Sequence, residues 1–337
     1  MNNLTNNRYA ASLIVVAVAI IVWGIAGFID RPGFGWGGYV YSPDYIVEGV
    51  EPGGAADKAG LEDGDRVISV QGIAVEDLPL YSRWPRSLAP GPGQSLRILV
   101  ERNGERVSID VVYAARNLNM LALGAAVIGL SFMIFGLWAF FTVHTSHALS
   151  LAHIGLAAAM ATMGSMGPYL GTREGVASHI GAASMVLWSM LMLRFFLAFP
   201  KMKQPEKSRR FIRIIYGLWI LFIACLVLEL ITHPIMYHTF DALGFLLILV
   251  YCILALVALT HSTVKMSPQE RRNSGTIVII TGILVAFIPT LVGALAFVLR
   301  LNLPGSNYFP LMLAVFPLSM ALAVKKHVRL FYNNLNP

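Results

Sequence analysis

The sequence predicts an α+β membrane protein, in which an eight-helix transmembrane bundle carries one small β-rich domain inserted between helices 1 and 2. Of the 337 residues, 56% are hydrophobic and only 13% are charged, a composition typical of a chain folded in lipid. One long polar stretch, residues 30–117, interrupts the apolar sequence. Eight apolar runs have the length of about 20 residues that a bilayer requires, and they cover residues 10–29, 118–142, 148–170, 178–199, 212–232, 240–262, 275–299 and 308–324.

These runs predict the division of the chain. The first span has no small-residue cleavage site before Asp30, so we expect a retained anchor rather than a removed signal peptide. Cys225 and Cys252 fall within spans and are interpreted as small buried apolar groups. The predicted segments are a cytoplasmic tail (1–9), helix 1 (10–29), an extracytoplasmic domain (30–117), a seven-helix bundle (118–324) and a basic cytoplasmic tail (325–337).

The distribution of charge predicts the orientation in a bacterial inner membrane. Basic residues are concentrated in the tails and in alternate short loops, whereas the opposite short loops hold only Arg173 and Arg300. The positive-inside rule therefore places both termini in the cytoplasm and residues 30–117 outside. That domain has nine lysines and arginines against thirteen acidic residues, so no basic surface for nucleic acid is expected.

Within the polar stretch, short apolar runs alternate with turn signals, which is typical of a small β-rich domain. The runs are residues 46–50, 66–70, 96–100 and 107–111. Asn103-Gly104 between the last two predicts a two-residue hairpin turn, because both positions require positive φ. Residues 55–59 predict a short helix that ends at Gly60 as a left-handed cap.

Residues 51–73, EPGGAADKAGLEDGDRVISVQGI, resemble the core signature of bacterial PDZ domains. The resemblance implies a PDZ-like fold over about residues 38–115, with Leu61 in the core and Asp65 capping backbone N–H groups of the turn before the next strand. These residues specify the fold and are not expected to touch a ligand.

The PDZ resemblance also implies a peptide or protein C-terminus as partner, added as a strand beside the strand that contains residues 45–47. Segment 33–41 is the candidate carboxylate-binding loop, and a flexible tether with Phe34 and Trp36 at the membrane interface is the alternative. The flanking helix, around residues 80–89, is interrupted by prolines. The candidate peptide-binding residues are Gly37, Gly38, Tyr39, Val40, Tyr41, Tyr81 and Trp84.

Ionisable residues are few within the spans. Glu229 and His233 at the outer end of span five, with His238 and Asp241 at the start of span six, form a polar outer cluster that could serve a metal, a proton sensor or a ligand amine. The alternative is a hydrogen-bonded turn at the membrane interface. His144 and His147 in the first inner loop lack a third ligand, so no metal site is expected there.

No catalytic motif was found, so the sequence predicts no catalytic residue, no enzyme activity and no cofactor. A site-two metalloprotease needs HExxH within a span, and that motif is absent. The rhomboid serine-protease pattern and an ATP-binding glycine loop are absent as well, and no internal repeat indicates a transporter.

Residues 194–201 (RFFLAFPK) and 316–331 (FPLSMALAVKKHVRLF) resemble the membrane input modules of bacterial competence and quorum-type sensor histidine kinases. The resemblance implies an input region without the kinase domain that would follow residue 337. The predicted function is a non-catalytic sensor or receptor for signal transduction, in which a ligand outside shifts the helices toward a cytoplasmic signalling partner. The alternatives are a PDZ-bearing accessory or scaffold protein and a small-solute transporter.

Overall fold

The computed structural model describes residues 3–30, 35–42, 45–75, 90–115, 120–164, 175–200, 205–232, 237–298 and 306–333. A long apolar helix, α1 (Asn3–Asp30), precedes a region of short strands, and a series of long helices follows it. This is the predicted fold class, a helical membrane protein with a small β-rich region after helix 1. That region, residues 35–115, is called the β-insert below.

The long helices after the β-insert form the bundle. They are α3 (Met120–Val143), α4 (Ser146–Gly164), α5 (Gly175–Ala198), α6 (Pro205–Thr232), α7 (Tyr237–Lys265) and α9 (Thr276–Val298), followed by a 3₁₀ helix (Ser306–Val315) that continues into α10 (Phe316–Asn333). The short helix α8 (Pro268–Asn273) joins α7 to α9 and begins with a capping box between Ser267 and Glu270. Within the described residues, eight helical segments are long and apolar enough to cross a membrane, which confirms the eight predicted spans.

Small residues let α3 and α4 lie close together. A Cβ added at Gly155 would collide with the backbone of Phe132 and Met133 on α3, and one added at Gly136 would collide with the backbone of Leu151 on α4. Helices in lipid gain no hydrophobic free energy from associating, so such close van der Waals contact is what holds them together. The glycine-rich and alanine-rich sequence of α4 is therefore explained by its packing.

The main sheet of the β-insert has four antiparallel strands, in the spatial order residues 73–74, 66–70, 95–102 and 105–112. The strands are β4 (Arg66–Val70), β5 (Ile73–Ala74), β6 (Ser95–Arg102) and β7 (Glu105–Val112). Asn103 (φ 52°) and Gly104 (φ 83°) form the predicted hairpin turn, and Arg102 pairs with Glu105 across it. The buried side chains of Leu61, Val67, Ile98 and Val111 lie in its core, as predicted for Leu61.

Two further strand pairs complete the β-insert. Strand β1 (Gly35–Trp36) pairs with β8 (Ala114–Ala115), and β2 (Val40–Tyr41) pairs with β3 (Val47–Glu48). Helix α2 (Ala55–Ala59) ends at Gly60, whose φ of 85° gives the predicted left-handed cap. Since residues 35–36 and 40–41 form paired strands, the alternative of a flexible tether is wrong for these four residues, and Phe34 lies outside the described residues.

An ion pair between a buried carboxylate and a partly exposed arginine fixes the β-insert at the turn before β4. Asp65 is 2% exposed and accepts hydrogen bonds from Nε and Nη2 of Arg102, both at 2.7 Å. Its Oδ2 also accepts the Glu62 N–H at 2.9 Å, which is the predicted capping contact. Arg102 in addition donates to the Gly60 carbonyl and the Glu62 carboxylate, so β6 is tied to the end of α2.

The same contacts make the stability of the β-insert depend on acidity. Burial alone would raise the pKa of Asp65, but the hydrogen bond from Arg102, the hydrogen bond from the Glu62 amide and the charge of Arg102 outweigh it and lower the pKa. A carboxyl group with a lowered folded-state pKa stabilises the fold above its unfolded pKa of about 4, and loses that contribution as pH falls through the folded pKa.

We therefore expect the free energy of opening of the β-insert to decrease as pH falls below about 4. Hydrogen exchange of the buried β4 and β6 amides, corrected for intrinsic rates, measures it in the full chain. An Asp65→Asn variant should show a smaller decrease over the same range. An equal decrease in both proteins would mean that another carboxyl group is responsible.

Candidate functional site: the outer edge of strand β3

Strand β3 is the strand at which the sequence places peptide addition, and one of its sides is bonded to the rest of the β-insert. The Val47 N–H donates to the Asp65 carbonyl, and the Val47 carbonyl accepts the Gly64 N–H. The Tyr45 carbonyl accepts the Val67 N–H. Because backbone groups of successive residues in a strand point to alternate sides, Ile46 and Glu48 present theirs to the other side, called the outer edge of β3 below.

The outer edge of β3 is occupied by the chain itself. Strand β2 lies antiparallel along it, with Val40 opposite Glu48 and Tyr41 opposite Val47. The Ser42 N–H donates to the Ile46 carbonyl at 2.8 Å, and the Ser42 hydroxyl accepts the Ile46 N–H at 3.2 Å. The backbone groups that would pair with an added strand are therefore already bonded at Ile46.

The segment before β2 is held firmly in the β-insert. The carbonyls of Gly37 and Gly38 accept the N–H groups of Ala56 and Glu51, at 2.8 and 2.7 Å. Tyr39 is 7% exposed, and its hydroxyl lies 2.9 Å from the hydroxyl of Tyr113. These contacts anchor the start of the candidate loop and show that it is part of the fold.

The candidate peptide-binding residues are thus brought together in part. Gly37, Gly38, Tyr39, Val40 and Tyr41 form one segment that leads along the outer edge of β3. Tyr81, Trp84 and the expected flanking helix at 80–89 lie outside the described residues. The assignment of all seven residues to peptide binding stays a prediction.

The side chains around the outer edge supply apolar surface. Ile46 is 38% exposed and Trp36 is also exposed, with the Trp36 indole N–H donating to the Glu51 carboxylate at 2.9 Å. Val47, in contrast, is fully buried. The β2–β3 pair therefore has an exposed apolar side chain next to its backbone, a surface that suits strand addition.

The predicted polar outer cluster cannot be placed as a whole. His233 lies outside the described residues, Glu229 lies in α6, and His238 and Asp241 lie in α7, but the side chains of these three residues also lie outside the described part of the chain. Its proposed role stays a prediction.

A second side-chain cluster, which the sequence did not predict, lies in the bundle. The rings of His147 on α4 and His327 on α10 have centroids 6.1 Å apart, and both pack against Phe199 at the end of α5, at 5.5 and 5.4 Å. His147 is part of α4 rather than of a loop as predicted. Phe199 of stretch 194–201 therefore contacts His327 of stretch 316–331. No sign of this contact was visible in the sequence other than the aromatic residues in both stretches.

Comparison with known proteins assigns the β-insert. Residues 46–102 match the PDZ domain family. The chain is 33% identical to the regulator of sigma-E protease RseP of Escherichia coli over 79 residues, which are 23% of this chain and 17% of that protein. It is 36% identical to a putative zinc metalloprotease of Brucella suis over 69 residues, 20% of this chain and 17% of that protein.

A third relative, the zinc metalloprotease RasP of Geobacillus kaustophilus, is 27% identical over 113 residues, which are 33% of this chain and 23% of that protein. The chain thus spans less than a quarter of the length of each of these relatives. No solved structure matches the chain.

These relatives correct the predicted function. The non-catalytic sensor or receptor is contradicted, because the relatives are named as metalloproteases and as a protease that regulates sigma-E. The same names contradict the prediction that the chain is not an enzyme and the assignment to sensor-kinase signal transduction, and they weaken the accessory-protein alternative. The prediction was wrong because enzyme activity was excluded from the absence of known motifs, and a sensor function was inferred from a helix layout that resembles sensor-kinase input modules.

Two of the relatives are named as zinc metalloproteases. The described part of this chain has no set of side chains that could bind a zinc ion in the same way. The sequence contains no HExxH motif. Among the described residues, no group of three or more His, Cys, Asp or Glu side chains could hold a metal ion. Since a catalytic zinc ion takes three protein ligands, these residues do not fit a zinc centre, and no step through zinc follows for them.

Proposed function

We propose that this chain takes part in the proteolysis of membrane proteins, and that its PDZ domain binds an extended peptide segment of the protein to be cleaved. The observation that carries the proposal is the similarity to three proteins named as proteases, together with a PDZ match at residues 46–102. We infer that the similarity to these proteases falls mainly on the β-insert, which has a comparable length. The membrane-capable helices support a substrate that also lies in the membrane.

The proposal includes an orientation. The bias of lysine and arginine toward the tails and alternate short loops supports cytoplasmic termini and an extracytoplasmic PDZ domain, in a bacterial inner membrane. The proposed division keeps residues 30–117 as the outer domain and 118–324 as the bundle. A substrate segment emerging from the membrane would then meet the PDZ domain directly after leaving the bilayer.

The proposed binding mode is strand addition to the sheet at the pair formed by β2 and β3. A peptide lying there pairs with the backbone groups of Tyr41, which point away from β3, and its side chains contact the apolar surface at Ile46. The backbone bonds provide affinity for any extended segment, and the side-chain contacts select among sequences.

A proline at position 48 tests this mode, because it removes the Glu48 N–H, which faces Val40 in the β2–β3 pair, while the Glu48 side chain is exposed. In cells that produce the Glu48→Pro variant, we expect the uncleaved forms of substrate membrane proteins to accumulate several-fold, as in cells that lack the chain. Quantitative mass spectrometry of membrane-protein fragments measures both. Fragment patterns that are the same with and without the chain would contradict the proposed function.

Two further variants separate the causes of such a loss. Glu48→Ala keeps the backbone N–H, so a loss as large as that of Glu48→Pro would show that the side chain and not the strand edge is required. Arg97→Ala alters an exposed residue on β6 that pairs with Asp110, away from β3, and controls for general effects on the β-insert. We expect fragment patterns of the Arg97→Ala cells to match those of the wild type.

A further inference from the structure

Arg194 places a positive charge within the membrane-capable part of α5. It lies four residues before the end of the helix at Ala198, which is about 6 Å along the helix axis. Among the described residues, no carboxylate forms an ion pair with Arg194. Charged side chains inside a membrane span are costly and are usually paired, so a partner for Arg194 is expected.

The neighbouring helices have no acidic side chain at the depth of Arg194. Helices α3, α4 and α5 contain no aspartate or glutamate. On α6, Glu206 and Glu229 lie ten and thirteen residues from Tyr216, which contacts Arg194. These separations correspond to about 15 and 20 Å along a helix. Asp241 lies at the start of α7, which is the opposite end of the bundle. The partner of Arg194 is therefore expected to come from outside these helices.

The contacts of Arg194 form a group of hydrogen-bond donors. Its Nη1 donates to the Tyr216 hydroxyl at 2.8 Å, and its guanidinium carbon lies 6.0 Å from the centre of the same ring. Because this hydroxyl oxygen accepts the arginine N–H, its own O–H is still a donor. His153 on α4 lies close enough for the charge of Arg194 to act on its ring. A guanidinium and a hydroxyl that both donate suit an anion, and the planar fork of arginine matches phosphate.

The surface of α6 beside Tyr216 is charged at one end and apolar along the rest. Arg213 lies three residues before Tyr216 and Ile220 four residues after it, so both lie on its side of the helix. Both are exposed. Val227, two turns beyond Ile220, is also exposed and continues the apolar part away from the basic end. This order of charge and apolar surface matches a phospholipid, whose phosphate lies at the membrane surface and whose acyl chains extend inward.

We infer that Arg194 and Tyr216 bind the phosphodiester group of a phospholipid in the leaflet at the basic end of the bundle, with its acyl chains along Ile220 and Val227. Basic sites between membrane helices on the cytoplasmic side are a general means of binding lipid headgroups. The phosphate supplies the negative charge that the described residues around Arg194 lack. The site lies on α5 and α6, away from the PDZ domain, and is independent of the proposed function.

Native mass spectrometry of the purified full chain, released from detergent micelles, tests the site with dioleoyl phosphatidylglycerol as the probe. We expect the wild type to bind the probe with at least tenfold higher affinity than Arg194→Gln, because the variant loses charge-assisted hydrogen bonds. Tyr216→Phe keeps the charge and removes one neutral donor, so it should bind about fivefold more weakly than the wild type. Arg272→Gln is the matched control, since it removes the same charge from an exposed position on α8 and should bind the probe as the wild type does.

Two further probes identify the part of the lipid that is bound. Dioleoylglycerol has the same acyl chains without the phosphate, and inorganic phosphate has no chains, so we expect both to bind more weakly than phosphatidylglycerol. No binding of phosphatidylglycerol by the wild type, equal binding by Arg194→Gln, or an equal loss in Arg272→Gln overturns the site. Equal binding of dioleoylglycerol would reduce it to an apolar surface. Uptake of inorganic phosphate without phosphatidylglycerol would assign it to free phosphate, and either result overturns the lipid site.

Discussion

Replacing Gly155 with valine should separate α3 from α4 and lower the stability of the bundle by about 3 kcal/mol, the upper end of the usual cost of overpacking. The reason is that a side chain at Gly155 would meet the Phe132 carbonyl oxygen and the Met133 Cα, which are backbone atoms that cannot rotate away. Unfolding of the full chain in mixed micelles with increasing SDS, followed by helical circular dichroism, measures the change.

Gly217 offers a matched control for this substitution. It lies within α6, as Gly155 lies within α4, but a Cβ added there has no heavy atom within 4 Å. Gly217→Val should therefore leave the SDS midpoint close to that of the wild type. If both variants lose the same stability, the cost comes from placing valine in a helix and not from the contact between α3 and α4.

Replacing Asp65 with alanine should produce the largest effect on the β-insert, a loss of about 2 to 3 kcal/mol in its opening free energy. Arg102 would keep its contacts with Gly60 and Glu62 but lose both bonds to a carboxylate that is 2% exposed. The Glu62 N–H would lose its acceptor as well. Hydrogen exchange of the β4 and β6 amides in the full chain gives this free energy without requiring the β-insert to fold alone.

The pair formed by Arg97 and Asp110 is the matched control, since it joins β6 to β7 by the same two side-chain types at 2.9 Å. Both side chains are more than half exposed, and exposed ion pairs contribute little to stability. Asp110→Ala should leave exchange in β4 close to that of the wild type. A loss equal to that of Asp65→Ala would show that burial of Asp65 is not the source of its effect.

The structure also explains why predicting the site from the sequence succeeded only in part. Positions that demand one conformation were predicted correctly, including the Asn103-Gly104 turn, the Gly60 cap and the Asp65 cap, because each depends on residues a few positions away. The closure of β3 by β2 was not predicted. Strand β2 has only two residues, too few for an alternating pattern of apolar and polar residues to show in the sequence. Which strand it pairs with depends on the path of the whole loop.

The His147, Phe199 and His327 cluster was missed for a related reason. Its members lie on α4, just after α5 and on α10, 52 and 128 residues apart in sequence, and nothing local indicates that their rings meet. The predicted function was wrong for a different reason. The arrangement of membrane helices and the absence of known motifs do not determine which reaction a protein catalyses. Similarity to named proteases supplied that information.

The sequence by itself determined the eight membrane-capable helices, the β-rich insert after the first of them and the turns and caps within it, because apolar run length and residue-specific backbone preferences are local properties. Only the tertiary structure decided that Arg102 reaches back to Asp65, that Gly155 lies against the backbone of α3, and that β2 covers the outer edge of β3. These contacts join distant parts of the chain, and their formation depends on how the completed elements pack together.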